Sequence, residues 1–379
     1  MTPPMLETEF LSELIRYDSV SSVSNVPVSS YVEQQLLRLG CTVETIDYAD
    51  PNQVQKRNVI GKLGSGTGGL AYFGHTDVVP ADTWSIAAHG PFEPTIANDR
   101  MYGRGSCDMK GSIACALSAV KQIDVDRLKA PVYIVCTADE EIGYCGAVQV
   151  VERSAMYREM VRGGTRAIIG EPTSLEVVHA HKGTYGFVAT SRGEAAHSSS
   201  SHGCNANLAL IPFLQEMKAI HDELESDAQW QNSDFDPPTM SWNIGINDHT
   251  RARNIKAAQS ICTVYFRPMP DTDGDAPLAR AQAAAEQHGI DFETVVKFPP
   301  FHVAPDSDFI QEILRIAECP APRTVCYGTD GAVLTGLQDA VVLGPGSIDQ
   351  AHKDDEWIAL DQLRRGTELY RQLIERWCC

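Results

Sequence analysis

The chain has 379 residues, 43% of them hydrophobic and 21% charged, a globular profile longer than a single core usually serves, so two domains are expected. Fifty acidic against 31 basic residues give a formal net charge of −19, which argues against nucleic acid and anionic membrane surfaces as partners. No apolar run reaches the length of a membrane span, and the opening MTPPMLETEF has no basic segment followed by an apolar one. The 11 cysteines include no CxxC pair, so reduced thiols in a cytoplasmic protein are expected, with Cys378 and Cys379 exposed and oxidisable at the end.

In chain order, Glu7–Arg16 and Val28–Leu39 carry apolar residues three to four apart and predict helices. Asn58–Leu63 and Gly69–Gly74 are short apolar runs that predict buried strands. The Ala-rich stretch Gly111–Gln122 predicts a helix, and Val132–Thr137 and Ala167–Ile169 predict further strands. This alternation predicts an α/β domain with a mixed, largely parallel sheet flanked by helices, whose ligands would gather at the carboxyl ends of the strands. The middle of the chain differs. It reads as strand Gly186–Arg192, helix Asn205–Leu224, polar loop Ser226–Pro238, strands Thr239–Asn247 and Ser260–Phe266, helix Ala276–His288 and strand Phe292–Val296. That is a separate α+β unit. Helix Asp308–Ala317, strand Val341–Leu343 and helix Leu360–Arg376 then return to the first pattern. The simplest organisation is one catalytic domain, residues 1–178 and 299–379, interrupted by an inserted domain at 179–298.

Five segments place a histidine or carboxylate just beyond a predicted strand or in a loop. Gly74-His75-Thr76-Asp77 sets His75 and Asp77 two apart, on the same side of an extended chain. Gly103–Gly111 holds three glycines and Asp108, placed where it would cap the next helix. Its spacing is not that of a phosphate-binding loop. Asp139-Glu140-Glu141 follows a buried strand and would suffer mutual repulsion without a cation. Ile169-Gly170-Glu171 ends another strand on a carboxylate, and His352 lies beyond Val341–Leu343. Singly, each has a plainer reading as a surface histidine, a cap or a strand-end turn. Together they put imidazole and carboxylate donors on one rim, a set that suits zinc, cobalt or manganese. Two histidines and three carboxylates suffice for two ions sharing a bridging carboxylate, which leaves one acid as a base. Spacing alone does not say which acid does which.

The runs GHTDVVP, GPFEP, MYGRGSCDMKG, TADEE, IIGEPTS and LGPGSIDQAHKDDE, in that order, resemble a family of zinc-dependent amidohydrolases and peptidases. That family includes acetylornithine deacetylase, succinyl-diaminopimelate desuccinylase and glutamate-releasing carboxypeptidases. The resemblance extends over nearly the whole chain and is strongest toward the deacetylase group. It implies two divalent metal ions, zinc first and cobalt or manganese as alternatives. His75 and Glu171 would hold one ion and Glu141 and His352 the other, with Asp108 bridging. Asp77 would orient His75, and Glu140 would act as general base and acid. The resemblance further implies that the inserted domain is a lid that makes a homodimer, with His197 reaching the partner's active site. Asn254, Arg267 and Thr329 would bind the substrate, and the Asp108–Met109 peptide would be cis. The implied reaction is hydrolysis of an N-acyl amino acid, N-acetylornithine above all. A desuccinylase or a dipeptidase or carboxypeptidase is the alternative, and a non-catalytic binding protein a remote one. The chain departs from the family pattern in the lid. HSSSSHG lacks a proline and is one residue short, Tyr265 stands where an aspartate is frequent, and Ile255 replaces a proline after Asn254.

Overall fold

The computed structural model describes residues 6–250 and 252–379, which form two compact units. The first comprises the described residues through Ala180, Val303–Arg323 and Thr329–Cys379; the second comprises His181–His302 and Thr324–Gly328.

The first unit begins with helices α1 (Leu6–Ile15) and α2 (Val26–Arg38), followed by strands β1 (Thr42–Ala49), β2 (Gln55–Leu63) and β3 (Leu70–His75). The short strands β4 (Thr95–Ala97) and β5 (Arg100–Tyr102) precede α3 (Lys110–Lys121). Strand β6 (Val132–Thr137), helices α4 (Cys145–Arg153) and α5 (Ala155–Gly163) and strands β7 (Arg166–Ile169) and β8 (Val178–His181) complete this stretch. The second unit contains β9 (Thr184–Arg192), α6 (Ala206–Ser226), β10 (Asn243–Asn247), β11 (Gln259–Phe266), α7 (Asp275–His288), β12 (Asp291–Phe298) and β13 (Phe301–His302). After it come α8 (Asp308–Ile316), β14 (Arg323–Val325), β15 (Ala340–Val342), β16 (Trp357–Ala359) and α9 (Leu360–Cys378).

Within the first unit the main sheet runs β1-β2-β6-β3-β7-β15-β8. Strands β6, β3, β7 and β15 are mutually parallel, and antiparallel strands flank them. All six residues of both β3 and β6 are buried, as expected where helices cover both faces of a parallel sheet. Helix α3 is buried from Lys110 to Val120 and packs against α1 and α9. Its small residues Gly111, Ala114 and Ala116 allow that close approach. Register then fixes the site. His75 pairs with Thr137, Phe73 with Ile169, and Ile169 with Val342, so four parallel strands end at one level.

The second unit is a four-stranded antiparallel sheet, β10-β11-β9-β12, with α6 and α7 packed on it. Phe187, Trp242, Phe266 and Phe292 form its aromatic core. Among the described residues no helix is long and apolar enough to cross a membrane.

Three local expectations are corrected. The strand expected at Thr239–Asn247 is only Asn243–Asn247; Met240 and Trp242 are buried outside it, and the Met240 carbonyl accepts from the Arg267 N–H at 2.6 Å. Cys378 is not exposed. The last turn of α9 docks on the 129–131 loop, where Lys129 N–H donates to the Cys378 carbonyl at 2.7 Å, leaving the side chain buried and Cys379 half-buried. Asp108 does not cap α3. Met109 occupies that position, and the Asp108 carboxylate points elsewhere.

Candidate metal centre

The aligned strand ends gather their side chains into one cluster. His75 is the last residue of β3, Glu140 and Glu141 follow β6 by a short turn, and Glu171 lies two residues past β7. The β7 and β15 exits touch closely: a Cβ on Gly344 would lie 2.3 Å from the Gly170 carbonyl oxygen and 2.5 Å from that of Glu171. Only glycine fits there, and its absence of side chain lets the loop bearing Glu171 sit at this level.

Asp108 is the centre of the cluster. Its Oδ1 lies 3.2 Å from His75 Nε2 and its Oδ2 lies 3.4 Å from His352 Nε2. One carboxylate therefore presents a separate oxygen to each of two imidazoles. On the first side, Glu171 Oε1 is 3.9 Å and Glu140 Oε2 4.0 Å from His75 Nε2. On the second, Glu141 Oε2 is 3.0 Å from His352 Nε2. Two sets of donors, His75 with Asp108 and Glu141, and His75 with Glu140 and Glu171, each offer ligand atoms within 4.8 Å of one another. Among the described residues, no lysine or arginine pairs with Asp108, Glu140, Glu141 or Glu171.

The electrostatics are those of a site short of positive charge. Burial, with Glu171 and Glu141 nearby, pushes the Glu140 carboxyl well above its usual range. Burial and Asp108 do the same to Glu171, and burial raises Glu141 to about 7. Hydrogen bonds to Asp108 and Glu141 raise His352 to about 10. For His75, burial opposes protonation but the bond to Asp108 and the charges of Glu171 and Glu140 outweigh it, so the imidazole is raised too. Burial likewise works against ionisation of Asp108, yet the two histidines hold it well below the carboxylate range. Protons are drawn onto both imidazoles where cations would otherwise balance the charge. The buried Glu141 Oε1 has no hydrogen-bond partner. These donors fit divalent cations: nitrogen and oxygen ligands, excess negative charge and an orphaned carboxylate oxygen.

The supporting contacts are more specific than the strand positions alone imply. His75 Nδ1 lies 2.9 Å from the Asp77 backbone carbonyl, to which it donates, directing Nε2 at Asp108. The Asp77 carboxylate is farther from that nitrogen, at 3.7 Å. It instead accepts from the Ser21 hydroxyl at 2.7 Å and from the N–H groups of Glu140 and Glu141 at 3.2 and 3.3 Å. Asp77 thus holds the loop that carries two acids. Asp139, the first of the acidic triplet, turns away from the cluster. Its backbone is left-handed, with φ of 57°, and its carboxylate takes Lys56 Nζ at 2.7 Å and the Tyr48 hydroxyl at 2.8 Å. Only two of the three consecutive acids therefore share the site.

Thr329 is fully buried, and its hydroxyl accepts from the Gly331 N–H at 3.0 Å. Its neighbour Asp330 carried no role in the sequence reading. It accepts from the Thr137 hydroxyl at 2.7 Å, and burial raises it to about 6. Glu356 and Arg104 form a buried ion pair of 2.9 Å behind Asp108.

His197, Asn254 and Arg267 belong to the second unit. His197 is exposed, with Nδ1 2.7 Å from the Ser199 hydroxyl, and it bridges to Ile255. The Asn254 carbonyl accepts from Ser198 N–H at 2.8 Å, so His197 and Asn254 share one loop pair. Arg267 is half-buried and donates to the Thr184 hydroxyl at 2.5 Å.

One buried and one exposed imidazole, grouped with buried carboxylates beyond the parallel strands of a mixed sheet, are the donor set of a metal-dependent hydrolase. Residues 71–376 match the model of peptidase family M20/M25/M40, and the chain belongs to that family. It is 32% identical over 380 residues to acetylornithine deacetylase of Myxococcus xanthus, covering 97% of this chain and 96% of that protein. It is also 32% identical over 388 residues to acetylornithine deacetylase of Proteus mirabilis, with 98% and 96% covered. Among solved structures, the fold is similar to an M20 family metallo-carboxypeptidase of Sulfolobus solfataricus. The TM-score is 0.77 at 17% identity, over 98% of this chain and 99% of that one. Human carnosine dipeptidase 1 gives a TM-score of 0.70 at 17% identity, with 98% and 97% covered. The chain is a hydrolase of amide bonds that depends on divalent metal ions.

Proposed function

We propose that this enzyme removes the acyl group from N-acyl amino acids, with N-acetylornithine as the leading substrate and two zinc ions as cofactors. The observation that carries the reading is Asp108, whose two oxygens face two different imidazoles. Full-length similarity to acetylornithine deacetylases supports the substrate. His75, Glu171 and Asp108 Oδ1 would hold one ion, and His352, Glu141 and Asp108 Oδ2 the other. Ions bound there would polarise the scissile carbonyl and make the attacking water acidic.

The protein's own groups do the rest. Glu140 is only 10% exposed at its side chain and sits 4.0 Å from His75 Nε2. That place beside the proposed ligands puts its carboxylate within reach of a water there, as a base that must take and return a proton needs. Glu140 takes the proton of the attacking water and delivers it to the leaving amine. Asp77 keeps Glu140 and Glu141 in place through their backbone N–H groups. Arg267, Asn254 and Thr329 bind the carboxylate end of the substrate, and His197 stabilises the oxyanion in a partner's site.

The inserted domain, residues 179–298, serves as lid and dimerisation domain, and the enzyme is a cytoplasmic homodimer. Support comes from the edge position of β10 and from exposed Ile246 (61%) on it and Leu208 (66%) on α6. The test is a panel of N-acetyl, N-succinyl and dipeptide substrates turned over by zinc- and cobalt-loaded protein. N-acetylornithine should have the highest kcat/KM. Preference for a succinyl substrate or a dipeptide would move the enzyme to a desuccinylase or peptidase role, and no turnover of any would end the reading.

A further inference from the structure

Behind the cluster lies a carboxylate that touches no candidate ligand side chain. Glu356 is 1% exposed and accepts four N–H groups. Its Oε1 takes the backbone N–H of Cys107 at 2.8 Å and of Asp108 at 3.0 Å. Its Oε2 takes the backbone N–H of Gly105 and the Arg104 guanidinium, both at 2.9 Å. The backbone carbonyl of Glu356 also accepts from Gly103 N–H at 3.1 Å. One residue thus holds the whole turn from Gly103 to Asp108.

The partner of this carboxylate extends the reach. Arg104 Nη1 also donates to the Lys353 carbonyl at 2.9 Å, next to His352, and Nη2 donates to the Pro80 carbonyl at 3.1 Å, beyond Asp77. Three loops, bearing His75 and Asp77, Asp108, and His352, are tied to one buried ion pair. His352 needs such support. Its side chain is 56% exposed and its backbone is left-handed, with φ of 61°, a conformation that favours glycine. A buried pair of this kind contributes little net stability but fixes geometry, because each member has its hydrogen bonds satisfied only in one arrangement.

We infer that Glu356 is a positioning residue that sets Asp108 and His352 for metal binding, acting through the backbone N–H groups of Gly105, Cys107 and Asp108 and through Arg104. The inference rests on the proposed two-ion site. A glutamine in this place has the right shape but the wrong chemistry. Its amide would turn N–H groups toward Gly105 N–H and Arg104, or toward Cys107 and Asp108 N–H, and repel one pair. The Asp108 turn and the Lys353 end of the His352 loop would then move apart.

The test compares wild type with Glu356→Gln, Arg104→Gln and Glu44→Gln. Glu44 is a matched control away from the cluster, accepting from Ser154 hydroxyl, Ala155 N–H and Met156 N–H at 2.7, 2.8 and 3.0 Å. Zinc affinity and stoichiometry are read by chelator competition and elemental analysis, the visible spectrum by cobalt loading, and stability by melting of the metal-free chains. Glu356→Gln should weaken the looser zinc equivalent about 10- to 100-fold, the range found when an outer-shell partner of a metal ligand is removed. It should also alter the cobalt spectrum. Arg104→Gln should act in the same direction by less, and it carries the test if Glu356→Gln does not fold. Glu44→Gln should bind both ions as wild type does. Wild-type affinity in Glu356→Gln, or losses in all three variants that merely follow their melting temperatures, would overturn the inference. A wild-type chain that binds no zinc would instead overturn the proposed function beneath it.

Discussion

The two histidines of the cluster are held in opposite ways. His75 ends a core strand, is 1% exposed, and has its ring fixed by the Asp77 carbonyl. His352 stands on a loop with its side chain 56% exposed, and its Nε2 faces Asp108 and Glu141. The His75 side is built by the sheet itself. The His352 side depends on a loop that the Arg104–Glu356 pair anchors from behind. A rigid and an adaptable half around one shared carboxylate suggest unequal hold on two ions, and that inequality can be measured.

The largest effect should come from the group that belongs to neither half. Glu140→Gln should cut kcat by about 100- to 10,000-fold, the contribution typical of a positioned general base, while elemental analysis still finds two metals. Near-normal turnover would remove Glu140 from the chemistry. Next, His75→Ala should lose both metal equivalents and His352→Ala only one. Loss of a single equivalent in both variants would mean that the two halves are equally firm. Third, Ile246→Lys should give a monomer by light scattering. If His197 serves a partner's site, turnover should fall by about tenfold or more while metal content stays at two. A fully active monomer would confine His197 to a role outside catalysis.

The smallest effect concerns pH and the metal-free chain. Asp330 is raised by burial to about 6, so its protonated form favours the folded state, and stability falls as pH rises from about 4 through 6. His352 is raised to about 10, so its contribution is full below about 6.5 and is lost as pH rises through 10. The signs agree. The melting temperature of the metal-free chain should drop between pH 5 and pH 9, and zinc should flatten that dependence. An alkaline rise in melting temperature would contradict the charge balance drawn for the site.

The same contrast explains what was legible in the sequence. β3, β6 and β7 each carry a short apolar run, so their ends, and with them His75, Glu140, Glu141 and Glu171, are readable by position. β1 alternates buried and exposed residues only weakly and passed unseen, as did the three-residue strands β4, β5 and β16, which carry too few residues for any periodicity. The acidic triplet was read as one group because sequence cannot show that a left-handed Asp139 turns its carboxylate to Lys56. Asp77 was read as the partner of His75 because spacing shows a shared side, not that the backbone carbonyl is nearer than the carboxylate. Glu356 gave no chemical signal, since its partners are backbone N–H groups of a turn some 250 residues earlier in the chain.

The central claim is that Asp108 joins two metal sites. Anomalous diffraction at the zinc edge from zinc-loaded crystals tests it most directly. The account predicts two peaks roughly 3.5–4 Å apart, one beside His75 and Glu171 and the other beside Glu141 and His352, with Asp108 between them. A single peak, or two peaks of which only one touches Asp108, would contradict it.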